Sequence, residues 1–229
     1  MTVGTTIATW RLGLLLITMT EVMLAGAAFE VSTRDELQDA IQTGRLDIAV
    51  TSVVNVGKDP IVIVNVTGLT IRGGASDTGL EGLGDAGNGL LSISGGGVTL
   101  SGLSFTKGYS SQNGGCVAVS DDANVVFDGV RLASCTAGMC QLALVSQRCL
   151  EAVHVLGHLL NPDVCDTTSD GDGGAIWARG RNILAMRNST VEECKATWGG
   201  GFHAEDGVTF ENISSVEFRA CWAEGEKQG

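Results

Sequence analysis

Proline occurs only twice in the 229 residues, against 33 glycines. That imbalance excludes a disordered Pro-Gly-rich tail and assigns the glycines to the turns of a globular β protein. Basic residues are also few: 14 Lys and Arg stand against 26 Asp and Glu, for a formal charge of -12. An acidic surface repels nucleic acid and anionic lipid, and it disfavours uronate polysaccharides unless a local basic cleft overrides the field. After residue 27 no stretch approaches the roughly 20 apolar residues that a membrane-spanning helix needs. Of the three histidines, His154 and His158 are four apart, but the Glu that an HExxH zinc site requires is missing. Asp166, Asp170 and Asp172 lack the ligand order and closing Glu of an EF-hand loop. Residues 82–87 formally read GxGxxG, yet no helix pattern opens there, which removes a dinucleotide fold. The sequence alone therefore assigns no catalytic, cofactor-binding or metal site, and no cofactor.

What is present is a repeat. Gly115 and Cys135, Gly174 and Cys194, and Gly201 and Cys221 are each twenty residues apart. At ten, eight, five and three residues before each Cys stand Val125, Phe127, Val130 and Leu132, then Leu184, Met186, Ser189 and Val191, then Glu211, Ile213, Val216 and Phe218. The same spacing carried upstream finds Val98, Leu100, Leu103 and Phe105, then Val64, Val66, Leu69 and Ile71, then Ile48, Val50 and Val53. A step of two keeps both side chains on one face of a strand, whereas a step of three marks a corner. The corners expected are Thr67-Gly68, Ser101-Gly102, Asp128-Gly129, Arg187-Asn188 and Ser214-Ser215. Gly or Asn in second place suits the left-handed backbone of a bend. Strand, corner, strand, turn and a third short strand describe one coil of a parallel β-helix, 27 residues from Cys194 to Cys221. Periods of this length mark solenoids, and a single coil buries too little to offset the entropy of ordering it, so the coils must stack.

Gly173-Gly174-Ala175-Ile176 resembles the GGAI motif of the chlamydial polymorphic outer-membrane protein repeats. Phe218-Arg219-Ala220-Cys221 stands where that family has FxxN, with Leu132 to Cys135 and Val191 to Cys194 as looser copies. The resemblance covers roughly residues 46 to 223 apart from insertions, with Cys in place of the family's Asn and no autotransporter barrel. It implies a right-handed, pectin-lyase-like β-helix on a secreted or surface-displayed adhesin. Right-handedness is also the general preference of parallel crossovers. The fold class expected is thus all-β, a single-stranded right-handed parallel β-helix with an N-terminal α-helical cap.

In chain order, residues 1–27 read as a secretory signal peptide, with Arg11 as the n-region, an apolar run over 12–20 and the small residues Ala25-Gly26-Ala27 at the cleavage site. Residues 28–229 form the β-helix domain. Thr33-Arg34-Asp35-Glu36 fits a capping box, so a short helix over 33–42 is expected to plug the N-terminal end. The 59 residues from Cys135 to Cys194 accommodate an insertion at 138–171, where Cys140, Cys149 and Cys165 could bridge. Cys135, Cys194 and Cys221 share one coil position and form a structural ladder, the last two as stacked thiols whose parallel Cβ vectors suit a disulfide poorly. Asn65, Asn188 and Asn212 open N-x-[ST] sequons and are glycosylation sites if the host is eukaryotic. The repeat pattern resumes at Trp222-Ala223 just before Gly229, so the chain is expected to be a truncated piece whose open end self-associates end to end.

Two functions fit this reading. The first is a secreted or cell-surface, non-catalytic module for display, adhesion or carbohydrate binding, whose partner is a carbohydrate or a cell-surface protein. The alternative is a polysaccharide lyase, hydrolase or epimerase, which the fold often hosts and which needs a base beside a charge-neutralising group. Arg179, Arg181, His203, Glu205 and Asp206 are the residues that could supply them. The non-catalytic module is favoured because no aligned carboxylate set is visible.

Overall fold

A computed structural model of the protein describes residues 27–74, 78–84, 87–138 and 171–223. Residues 1–26 of the expected signal peptide, the cysteines at 140, 149 and 165 and the body of the expected 138–171 insertion lie outside the described residues. The described chain is a parallel β-solenoid of about five turns. One ten-stranded sheet stacks Phe29–Val31, Asp47–Val50, Ile61–Gly73, Leu91–Ser101, Asn124–Asp128, Ile183–Arg187 and Thr209–Ser214 in that order. From the first half of Leu91–Ser101 it continues through Val117–Ser120, Ile176–Arg179 and Phe202–Glu205. A six-stranded sheet runs from Val53–Gly57 through Gly79–Gly82, Ser104–Thr106, Arg131–Ala133 and Thr190–Glu192 to Glu217–Arg219. Tyr109–Ser110, Thr136–Ala137, Lys195–Ala196 and Trp222–Ala223 make the third sheet.

Because every ladder between the named strands is parallel and keeps its register outside a few bulges, like positions stack into columns along the axis. Leu69, Val98, Val125, Leu184 and Phe210 form one column, and Ile48, Ile71, Leu100, Phe127 and Met186 form the next. Val54, Leu80, Phe105, Leu132, Val191 and Phe218 form a third. These columns are buried except in the last turn, where Phe210 and Phe218 are half exposed. The corner residues stack as well: Gly102, Gly129, Asn188 and Ser215 all have φ between 49° and 64°. The N–H of each of the first three donates to the turn that follows, to the carbonyls of Asp128, Arg187 and Ser214.

The 2-3-2 spacing places the side chains correctly for the three copies at Val98, Val125 and Leu184, all of which are buried at the named positions. In the other three it places Ile48, Val50, Leu69 and Ile71 in the core and Phe218 over Val191, but misplaces the rest of the strand residues. Val64 is exposed and Val66 only partly buried, because Thr67-Gly68 is a bulge inside the long strand Ile61–Gly73 and Leu69, not Val64, pairs with Val98. Val53 is exposed and Val54 faces the core in its place. In the last copy Leu184 pairs with Phe210, not Glu211, since a register shift between Ala185 and Arg187 is opposed by an extra residue in the partner strand, where Asn212 has φ 50°. A one-residue slip moves a whole strand to the other face, and alternation alone does not choose between frames.

The helix Arg34–Gln42 carries the expected capping box: the Glu36 N–H donates to Thr33 Oγ1, and the Glu36 carboxylate accepts from the Ser32 and Thr33 N–H groups. Those bonds to its charged form hold the Glu36 carboxyl below the usual carboxylate range. Leu37, Ala40 and Ile41 are buried with the core. The Gln38 side-chain amide bonds both the N–H and the C=O of Val62, imitating one rung of a neighbouring strand.

Candidate functional site

The strand Phe202–Glu205 leaves a tight turn at Gly199, whose φ is 62°. Alternation turns Phe202 toward the core, its ring edge-on to Phe210 with centroids 5.0 Å apart, and puts His203 and Glu205 on the outer face. In the preceding turn, Trp177 and Arg179 are their register partners. Asp172 reaches the same place from the segment just before Ile176–Arg179; it bridges to Trp198, and its N–H donates to Asn113 Oδ1 at 3.1 Å.

His203 thus lies between two carboxylates. Its Nε2 is 3.0 Å from Glu205 Oε1, and its Nδ1 is 3.9 Å from Asp172 Oδ1. The Asp172 side chain is only 15% exposed, so this carboxylate is largely withdrawn from solvent. Arg179 Nε lies 3.0 Å from Asp206 and 3.7 Å from Glu205 Oε2, which leaves Oε1 turned to the imidazole. The indole Nε1 of Trp177 is buried without a hydrogen-bond acceptor among the described residues. Arg179, His203, Glu205 and Asp206 therefore come together, and Asp172 joins them. Arg181 does not; it pairs with Asp122 at 3.0 Å. His154, His158, Asp166 and Asp170 lie outside the described residues.

The cysteine position carries a disulfide that the sequence reading missed. Cys116 and Cys135 are bonded, with Cα atoms 5.5 Å apart and 19 residues of separation. Cys116 follows the Gly pair and faces the Cys135 position across the interior of one coil; Ala175 and Gly201 occupy the matching place in the next two turns. A Cβ on Gly201 would meet the Phe218 ring at 2.9 Å and stand 3.5 Å from the Cys221 Cβ, so that place in the last described turn is crowded chiefly by Phe218. The N–H groups of Lys195 and Trp222 donate to the carbonyls of Cys135 and Cys194, which puts Cys135, Cys194 and Cys221 in one column. Cys135 is the disulfide-bonded member; Cys194 and Cys221 are thiols. Burial pushes the Cys194 thiol up to about 12, and its S–H donates to the Glu192 carbonyl at 3.1 Å. The sequon residues Asn65, Asn188 and Asn212 are all exposed, each at a φ of 49° to 53°.

No helix among the described residues is long and apolar enough to cross a membrane. Comparison of the chain with protein-family models, with curated proteins and with solved structures finds no match.

Proposed function

We propose that the chain is a secreted or cell-surface, non-catalytic module, a right-handed pectin-lyase-like β-helix with its helix as the N-terminal cap, used for display, adhesion or carbohydrate binding. The observation that carries this reading is how the outward-facing cations are used. Arg72, Lys107, Arg181, Arg187 and Arg179 each pair with a carboxylate of a neighbouring turn, Asp47, Glu81, Asp122, Asp128 and Asp206, at 2.8 to 3.2 Å, and Arg131 does the same with Glu192. Such exposed pairs add little stability individually. Their effect is electrostatic: along these turns positive charge is neutralised rung by rung, which works against the basic cleft that uronate chemistry needs.

A Cys116–Cys135 disulfide suits an oxidising, extracytoplasmic compartment. The exposed asparagines at 65, 188 and 212 are open to glycosyl transfer in a eukaryotic secretory pathway. The last described turn carries an apolar cavity of about 320 Å³, lined by Phe127, Leu184, Phe202, Phe210 and Phe218 among others, beside the strands Thr209–Ser214 and Glu217–Arg219. That end is where copies of this chain associate end to end.

The alternative, a polysaccharide-active enzyme, draws on the meeting of His203, Glu205 and Asp172. Incubation with a panel of neutral and uronate glycans separates the two. Retention on one glycan class without any change in its chain length or reducing ends supports the module. Release of unsaturated uronates, new reducing ends or epimerised sugars, abolished in His203→Ala, would establish the enzyme. Sedimentation velocity across a range of concentrations tests the end-to-end contact, which a strictly monomeric chain would refute.

A further inference from the structure

We propose that Asp172 and His203, with Glu205 behind the imidazole, bind a divalent transition cation of the zinc class and so tie the turn that begins at Gly173 to the turn that begins at Gly200. This inference is independent of whether the module is catalytic. The geometry of the imidazole motivates it. Nε2 lies 3.0 Å from Glu205 Oε1 and Nδ1 3.9 Å from Asp172 Oδ1, so each ring nitrogen faces a carboxylate although a neutral imidazole carries only one N–H. The Asp172 contact is beyond hydrogen-bond distance, so Nδ1 is the nitrogen free to turn a lone pair toward a carboxylate oxygen, an opposition of two electron-rich atoms.

A cation between them resolves the opposition. Bonds of about 2.0 to 2.2 Å from zinc to imidazole nitrogen and carboxylate oxygen span that gap with a bent N–metal–O angle. Polar atoms of Asp172, His203 and Glu205 all lie within 4.8 Å of one another, so a movement on the order of 1 Å brings Asp172 and Nδ1 to the spacing of a tetrahedral site with Glu205 still at the far side of the ring. A carboxylate accepting from the far nitrogen of a metal-bound histidine is the outer arrangement such sites use to fix ring and tautomer. Glu205 has that position, and Arg179 steadies its other oxygen. An imidazole with a carboxylate suits zinc, cobalt or manganese better than calcium or magnesium, which prefer oxygen alone. The buried indole N–H of Trp177, one rung from His203, is a free donor for a water completing the coordination.

The probe is Co2+ titrated into the chelator-treated full chain, read by absorption and by calorimetry. The expected result is one bound equivalent with a visible ligand-field spectrum and no sulfur-to-cobalt charge-transfer band, competed by Zn2+, together with a rise in Tm. His203→Ala and Asp172→Asn should each weaken binding at least about tenfold, and Glu205→Gln about 10- to 100-fold, with circular dichroism unchanged. Absence of binding, a sulfur charge-transfer band, or affinity unaltered in His203→Ala would overturn the proposal.

Discussion

Phe105 and Phe218 occupy the same column, three turns apart, yet Phe105 is fully buried whereas Phe218 is 54% exposed in the last described turn. Truncating both to alanine makes the same chemical change in two environments that differ only in what stacks on them. Loss of a buried phenylalanine costs about 3–5 kcal/mol, from the lost transfer energy and the cavity left behind. Phe218 retains less than half of that burial and its site can collapse into solvent, so roughly 1–2 kcal/mol is expected. Against a total of about 5–15 kcal/mol, Phe105→Ala removes a large share of the stability and Phe218→Ala a small one. Since a solenoid does not guarantee two-state unfolding, urea titration should be followed by both circular dichroism and tryptophan fluorescence, and midpoints compared only where the probes coincide. Equal midpoint shifts, or a larger shift for Phe218→Ala, would refute the column assignment.

Phe127→Asp should unfold the chain cooperatively, since an unpaired carboxylate in the core costs several kcal/mol, whereas Asp128→Asn removes only an exposed partner of Arg187 and should shift Tm by a degree or two; equal shifts would contradict the inward-outward assignment. Replacing Cys116 and Cys135 together by serine opens a loop of 19 residues and should cost about 3 kcal/mol on the loop-entropy account, matched by the effect of reductant on the parent chain; a Tm indifferent to reductant would count against the bond. Cys194 is a neutral thiol held well above its ordinary value, so its contribution is complete below about pH 9 and is lost as pH rises from there toward about 12, where the unfolded chain has already ionised. Cys194→Ala should therefore flatten the alkaline fall of the stability curve relative to the parent, and native alkylation should reach Cys221 well before Cys194; an unchanged alkaline slope would sink this.

Much of this architecture was legible because the repeat carries its own ruler. Where a Cys ends the coil and a left-handed residue marks the corner, as at Gly129 and Asn188, counting back from the Cys finds the core side chains. Where the ruler fails, the reason is physical. The strand Ile61–Gly73 alternates apolar residues over more than one side of the coil, so two frames fit it equally, and only the bulge at Gly68 decides that Leu69 and Ile71 face inward while Val64 does not. Asn212 hides a second bulge in the same way, because an Asn in a left-handed conformation looks in sequence like any polar residue of a strand. The disulfide was within reach by a different argument: Cys116 stands where later turns have Ala175 and Gly201, opposite a Cys each time, so a second Cys at that place faces Cys135 across one coil. The grouping at His203 was not within reach. Asp172 and His203 are 31 residues apart, with Gly173-Gly174 and Gly199-Gly200-Gly201 between them, and nothing in either local pattern says that one turn will lay the first beside the second. Stacking at a fixed period brings distant residues together, so chemistry on a solenoid is written between turns and becomes readable only when the register of each turn is known.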